Sequence, residues 1–124
     1  MSATYRLQLR GPGSDPTQAF TFADAEEHLP YFSRLGVSHL YLSPVMQAPE
    51  ESTHGYDVTD PSTINPELGG LEGLRSLAEK AHAEGIKLLL DIVPNHVGVD
   101  DPQLNTWWWD LLKKGKDSEY AEYF

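Results

Sequence analysis

The sequence predicts a parallel α/β fold of about three strand–helix units, and three observations carry that expectation. Short apolar segments alternate with longer segments whose apolar residues recur at helical spacing. The apolar segment at 86–93 runs through Leu88, Leu89 and Leu90, leaving neither face polar, as expected of a parallel strand covered on both sides. The stretch 34–44 is also echoed by 83–94, each giving a helix end, a glycine, a β-branched residue, an apolar strand and a proline. The order is β-α-β-α-β.

Each element follows from its residues. The first strand is expected at 5–9, with Leu7 and Leu9 on one face and Arg6 and Gln8 on the other. A turn follows at 11–16, rich in glycine and proline. Thr21 stands as an N-cap with Asp24 three residues on, a shortened capping box. Phe22, Ala25, Leu29, Phe32 and Leu35 form the apolar stripe of the first helix, which Pro30 should kink or restart and Gly36 should end. The second strand is expected at 37–42, and a long loop at 45–70 carries His54-Gly55-Tyr56-Asp57. Leu71, Leu74, Leu77, Ala78 and Ala81 mark the buried side of the second helix, with Gly85 as its stop. After the third strand, 105–114 predicts a short helix with Trp108, Leu111 and Leu112 on one side.

Composition narrows the function classes. Nine Lys+Arg against nineteen Asp+Glu give a net charge of -10, a surface that repels nucleic-acid phosphates and anionic lipid. The absence of cysteine removes disulfides, thiolate zinc sites and iron–sulfur clusters, and fits a reducing cytoplasm. The start of the chain does not read as a signal peptide, and no apolar run is long enough to span a bilayer. Gly11-Pro12-Gly13 lacks the third glycine of a dinucleotide turn.

Functional groups in parallel α/β folds gather where strands end. Asp91 lies late in the third strand, in register with Leu89 and Val93, where a desolvated carboxylate needs a cationic or hydrogen-bonding partner. Asn95 and His96 follow the strand, and both side chains can donate and accept, which suits hydroxyl recognition. Taken singly, each has a structural alternative: an aspartate capping backbone donors, a histidine filling a loop. Together, Asp91-Ile92-Val93-Pro94-Asn95-His96 match the fixed positions of the pattern D-x-x-x-N-H. With His54-Gly55-Tyr56-Asp57 upstream, this resembles the α-amylase superfamily of glycoside hydrolases and transglycosylases. Thr4 to Leu9, Ser38 to Pro44 and Asp91 to Gly98 look, within it, like the maltooligosyl trehalose synthase family.

The resemblance implies a (β/α)8 TIM barrel of which residues 1–124 supply an incomplete N-terminal portion, the rest of the barrel lying outside the chain. It implies conversion of the reducing-end α-1,4 linkage of a maltooligosaccharide to an α,α-1,1 linkage, by intramolecular transglycosylation with retention. The nucleophile and general acid of the family are expected beyond Phe124. By the same resemblance, Tyr56 stacks on the sugar ring and Asp57 bonds terminal sugar hydroxyls. His96 bonds the sugar at the cleavage site, and Asp91 is a supporting carboxylate that orients an arginine beside the nucleophile. Asn95 coordinates calcium in many amylases, but without further oxygen ligands no metal is expected, and no cofactor is implied. The α-glucan substrate is the one partner expected. An amylase-type or maltooligosyl trehalose hydrolase would share these residues, and a non-catalytic glucan-binding fragment remains the reading of a different class. Trp107, Trp108 and Trp109 offer either a sugar platform or core packing, and three consecutive indoles on a helix cannot all face one ligand.

Overall fold

Three strands hydrogen-bond in parallel in the order β1 (Thr4–Leu7), β2 (His39–Leu42), β5 (Lys87–Leu90), in a computed structural model that describes residues 3–11 and 18–124. The register sets Arg6 beside Tyr41 beside Leu89, and Leu7 beside Leu42 beside Leu90. Side chains alternate along each strand, so these two rows face opposite sides of the sheet. The Leu7 side carries the core, where Leu7, Leu40 and Leu42 pack with Phe22, Phe32 and Leu77 from the helices. The Arg6 side carries the polar groups.

The first helical segment is divided, as its proline requires. Helix α1 (Phe22–Glu27) opens on a full capping box, with Thr21 and Asp24 each accepting from the other's backbone N–H. His28 separates it from α2 (Leu29–Leu35), which takes Pro30 in its first turn and ends at Gly36 with φ of 82°. Phe22, Ala25, Leu29 and Phe32 are buried as their spacing predicts, but Leu35 is 54% exposed. The turn expected at 11–16 lies mostly outside the described residues.

Two further expectations are corrected. The segment 45–70 is not a bare loop: β3 (Met46–Gln47) pairs antiparallel with β4 (Asp60–Ile64), and Pro66–Leu68 form a 3-10 turn capped by Asn65. The pairing closes the loop's base and leaves residues 48–59 to project from it. Helix α3 (Gly70–Ala83) then buries Leu77 and Ala81 as expected, with Leu74 partly buried and Leu71 exposed. The third parallel strand is also shorter than its apolar run, ending at Leu90 rather than Val93. It stands at the edge of this three-stranded sheet, with Leu88 and Leu89 half-buried and Leu90 42% exposed. An apolar groove of about 720 Å³ runs along this edge between α3 and β5, lined by Leu74, Ala78, Leu88 and Leu90.

Beyond β5 the chain crosses 91–105 without regular structure and forms α4 (Thr106–Lys114), capped by the Asn105 side chain. Trp107 stacks on Tyr120 at 5.7 Å and Trp108 meets Phe124 at 5.1 Å. Trp109 lies under the Lys113 ammonium. The three indoles thus point to different neighbours, and none of them is fully buried. No helix among the described residues is long and apolar enough to cross a membrane.

Candidate functional site

The polar row of the sheet builds the site from β1 outward. Leu7 and Leu9 turn to the core, so alternation places Arg6 on the opposite face. Its cross-strand neighbour is Tyr41, and the guanidinium lies 4.4 Å over the Tyr41 ring centroid. Asp91 is two residues past Leu89 and so extends the same row. Its backbone N–H donates to the Leu42 carbonyl at 3.2 Å, carrying the β2–β5 ladder one bond beyond the last strand residue. That bond fixes where the carboxylate starts.

Tyr56 descends onto this row from the loop between β3 and β4. Its hydroxyl donates to Asp91 Oδ2 at 2.6 Å and accepts from Arg6 Nη2 at 2.9 Å. Arg6 Nη1 donates to the same Oδ2 at 3.0 Å, so arginine, phenol and carboxylate close a triangle in which each bonds the other two. Burial opposes the charge on Asp91, yet the hydrogen bonds from Tyr56, Arg6 and Tyr41 outweigh it and hold the carboxyl below its usual range. Tyr56 is pushed above the ordinary phenol value, chiefly because its proton is given to Asp91. Arg6 is raised: burial works against its charge, but the bonds to Asp91 and Tyr56 prevail. At neutral pH the triangle therefore holds one cation, one anion and one intact hydroxyl.

The segment after Asp91 is pinned to the Tyr56 loop. His96 Nε2 lies 2.9 Å from the Tyr56 carbonyl oxygen, which only accepts, so this nitrogen carries a proton. Its Nδ1 lies 3.2 Å from Asn95 Oδ1. The Gly98 N–H donates to the Val58 carbonyl, and a Cβ on Gly98 would stand 2.8 Å from the Asp57 carbonyl oxygen, so only glycine allows the two segments to meet. Asn95 and His96 border a shallow pocket that also takes in Pro61, Val93, Trp107 and Tyr123.

Within the loop, Ser52 Oγ accepts from the Gly55 N–H and donates to Asp57 Oδ1. His54 Nδ1 accepts from the Tyr56 N–H at 3.0 Å. That nitrogen has no proton for Asp57, and their approach at 3.7 Å is not an ion pair through it. The His54 ring stacks with Tyr56 at 5.9 Å.

Four of the five site residues expected from sequence are thus linked by hydrogen bonds: Tyr56 with Asp91, His96 with Tyr56, and Asn95 with His96. Asp57 is engaged with Ser52 instead. Sequence reasoning missed Arg6 and Tyr41 as members. The signal that would have found Arg6 is its position: a cation at the same parity as Asp91 on a neighbouring row. The Arg6 side chain is 36% exposed and that of Asp91 15%.

A family description, alpha amylase, catalytic domain, matches residues 14–124. The chain belongs to the alpha-amylase family. A "Putative maltooligosyl trehalose synthase" of Mycobacterium tuberculosis is 57% identical over 122 residues, which are 98% of this chain and 16% of that protein. The intracellular maltogenic amylase of Bacillus subtilis is 39% identical over 98 residues, 79% of this chain and 16% of that protein. Among solved structures, maltooligosyltrehalose synthase from Arthrobacter ramosus superposes with a TM-score of 0.91 at 47% identity, covering 100% of this chain and 16% of that one. The chain therefore spans about one sixth of the length of the relatives it matches. Within the alpha-amylase fold, β1, β2 and β5 are the opening strands of a (β/α)8 barrel, and the triangle lies at their C-terminal ends.

Proposed function

We propose that this chain is the opening part of the catalytic barrel of a maltooligosyl trehalose-forming isomerase. The α-1,4 linkage at the reducing end of a maltooligosaccharide is broken, and the released glucose is rejoined to the same chain through an α,α-1,1 bond. Because the anomeric configuration is retained, the reaction needs a carboxylate nucleophile and a carboxylic acid about 5 Å apart across the anomeric carbon. We assign both to the part of the enzyme beyond these residues. The residues present here form the shell that receives the sugar.

The observation that carries the reading is the closed triangle of Arg6, Tyr56 and Asp91. Asp91 is held ionised and its Oδ2 already accepts two hydrogen bonds, which suits it neither to give a proton nor to attack carbon. It suits the carboxylate to hold Tyr56 and Arg6 in place. A phenol held at its hydroxyl by two partners has its far end fixed in place, so the Tyr56 ring offers a positioned apolar face to a pyranose C–H surface. Asn95 and His96 supply hydroxyl recognition beside it, and Asp57 bonds the terminal sugar once a hydroxyl competes with Ser52. The similarity to maltooligosyl trehalose synthases across nearly the whole chain supports the isomerase over a hydrolase. A cytoplasmic site of action belongs to the same reading and rests on the cysteine-free composition.

The test is to incubate the full-length protein with maltopentaose and follow reducing ends together with product mass. Loss of reducing ends at constant mass is the expected result. A rise in reducing ends would replace the isomerase by an amylase-type or maltooligosyl trehalose hydrolase. Heat of binding without turnover would leave a glucan-binding protein.

A further inference from the structure

Tyr56 is secured at its hydroxyl by Arg6, and a second arginine of the same chain segment packs against the residue before it, Gly55. Arg10 follows Leu9, is buried, and adopts φ of 72°, a left-handed backbone that only a few per cent of non-glycine residues take. This turn of the backbone separates Arg10 from the alternation that places Arg6 on the polar row. Its Nη2 donates to the Met46 carbonyl at 2.9 Å, at the start of β3. The remainder of the guanidinium packs close to Gly55. A Cβ added there would come within 2.6 Å of Arg10 Nε, 3.1 Å of Cζ and 2.9 Å of the Pro44 carbonyl oxygen. Gly55 itself has φ of 76° and its N–H is held by Ser52, so the peptide that leads into Tyr56 is wedged between Arg10 and Ser52.

We propose that Arg10 is a positioning residue for Tyr56, acting through Gly55: it sets the main chain of the loop while Arg6 sets the hydroxyl. Electrostatics agree with a built contact. Desolvation lowers the Arg10 pKa, and the carboxylates that oppose this, Asp57 first and then Glu67, come from the same loop region. Among the described residues Nε finds no hydrogen-bond partner, a cost that close packing against Gly55 can offset. The Arg10 stem and the glycine are complementary, so neither residue can be replaced alone without moving Tyr56. The consequence for turnover rests on the function proposed above, whereas the placement of Tyr56 does not.

The experiment uses the full-length protein with 3-fluorotyrosine incorporated, the Tyr56 resonance being assigned by Tyr56→Phe. In Arg10→Met the Tyr56 fluorine signal should shift or broaden while the other tyrosine signals stay in place. With maltopentaose, kcat/KM should fall about tenfold, and the Arg10→Met/Tyr56→Ala double variant should be no worse than Tyr56→Ala, since the first change acts through the second residue. Should Arg10→Met not fold, Arg10→Lys keeps the charge and stem but lacks the fork, and should give the same shift with a smaller loss of rate. An unmoved Tyr56 signal, or losses that multiply in the double variant, would overturn the proposal. A moved signal with full activity in both single variants would leave the positioning role standing and remove the sugar-binding role of Tyr56.

Discussion

Replacing Asp91 by asparagine separates the charge of the triangle from its shape. The amide oxygen keeps two lone pairs and can still accept from Tyr56 and Arg6, but the charge that strengthens both bonds is gone. Hydrogen bonds to a charged acceptor contribute about 1.5–3 kcal/mol each against about 0.5–1.5 for neutral ones. Converting two such bonds would cost about 2–3 kcal/mol if the site were dry. The Arg6 side chain is 36% exposed, so water takes up part of the lost interaction, and we expect a net cost of about 1–2 kcal/mol rather than the 3–5 of a fully buried pair. Denaturant titration of the parent, Asp91→Asn, Arg6→Gln and the double variant of the full-length protein gives the coupling directly. We expect about 1 kcal/mol of coupling, together with a fall in kcat/KM as Tyr56 is released. The pH dependence supplies the sign. Asp91 is depressed in the folded state, so its contribution is fully present above the ordinary carboxyl value of 3.8 and is lost as pH falls through the lower folded value. The parent should lose stability in that acid range relative to Asp91→Asn, narrowing the gap between them. Equal stability and activity of the two proteins at pH 7, with no coupling to Arg6, would refute the reasoning.

Four further outcomes follow from the same geometry. Tyr56→Phe removes the shared hydroxyl and keeps the ring, so substrate affinity should change less than in Tyr56→Ala, and kinetics of the two variants side by side check this. His96→Ala should lower kcat/KM by about 2–4 kcal/mol if the ring contacts the transition state, and unchanged kinetics would take His96 out of the site. Gly55→Ala places a methyl group against Arg10 at a positive φ and should destabilise by about 1–3 kcal/mol, read as a lowered Tm of the full-length protein. Thr21→Ala removes a capping box far from the triangle in sequence and should cost about 1 kcal/mol of stability with kcat/KM unchanged.

What could be read from the sequence was local or periodic. The Thr21–Asp24 cap, the break at Pro30 and the stop at Gly36 depend on neighbours a few residues away, and all three are present. The parallel order also follows from alternating strand and helix patterns, since each crossover needs a helix to return the chain. Periodicity failed where a boundary depends on a partner. Leu35 and Leu90 carry the pattern of buried residues, yet their exposure is decided by whether another element passes over them. The strand ended at Leu90 for the same reason: without continuing β2 carbonyls beyond Leu42, only Asp91 finds one more ladder bond. Pairing of β3 with β4 was equally hidden, because two residues on one side carry no alternation to detect.

The site was legible as a motif but not as a mechanism of support. Asp91, Asn95 and His96 are recognisable because their spacing is fixed by one strand end. Their partners come from residues 35 to 85 positions away in sequence, as in Tyr56 to Asp91 and Arg6 to Asp91, and no local pattern records such a pairing. The first strand nevertheless contains the clue in its charges. A strand at the start of a parallel sheet has one face for the core, and a cation on its other face needs an anion within reach on that same face. Arg6 satisfies that requirement through Asp91, with Tyr41 between them as a surface for the guanidinium. Arg10 follows different geometry, because the left-handed backbone turns it off the alternation and under the loop. Two arginines four residues apart thus meet the Tyr56 hydroxyl and the Gly55 that precedes it. If that division holds, exchanging Arg6 for lysine should loosen the Tyr56 hydroxyl but leave the Gly55 peptide in place, and exchanging Arg10 should do the reverse.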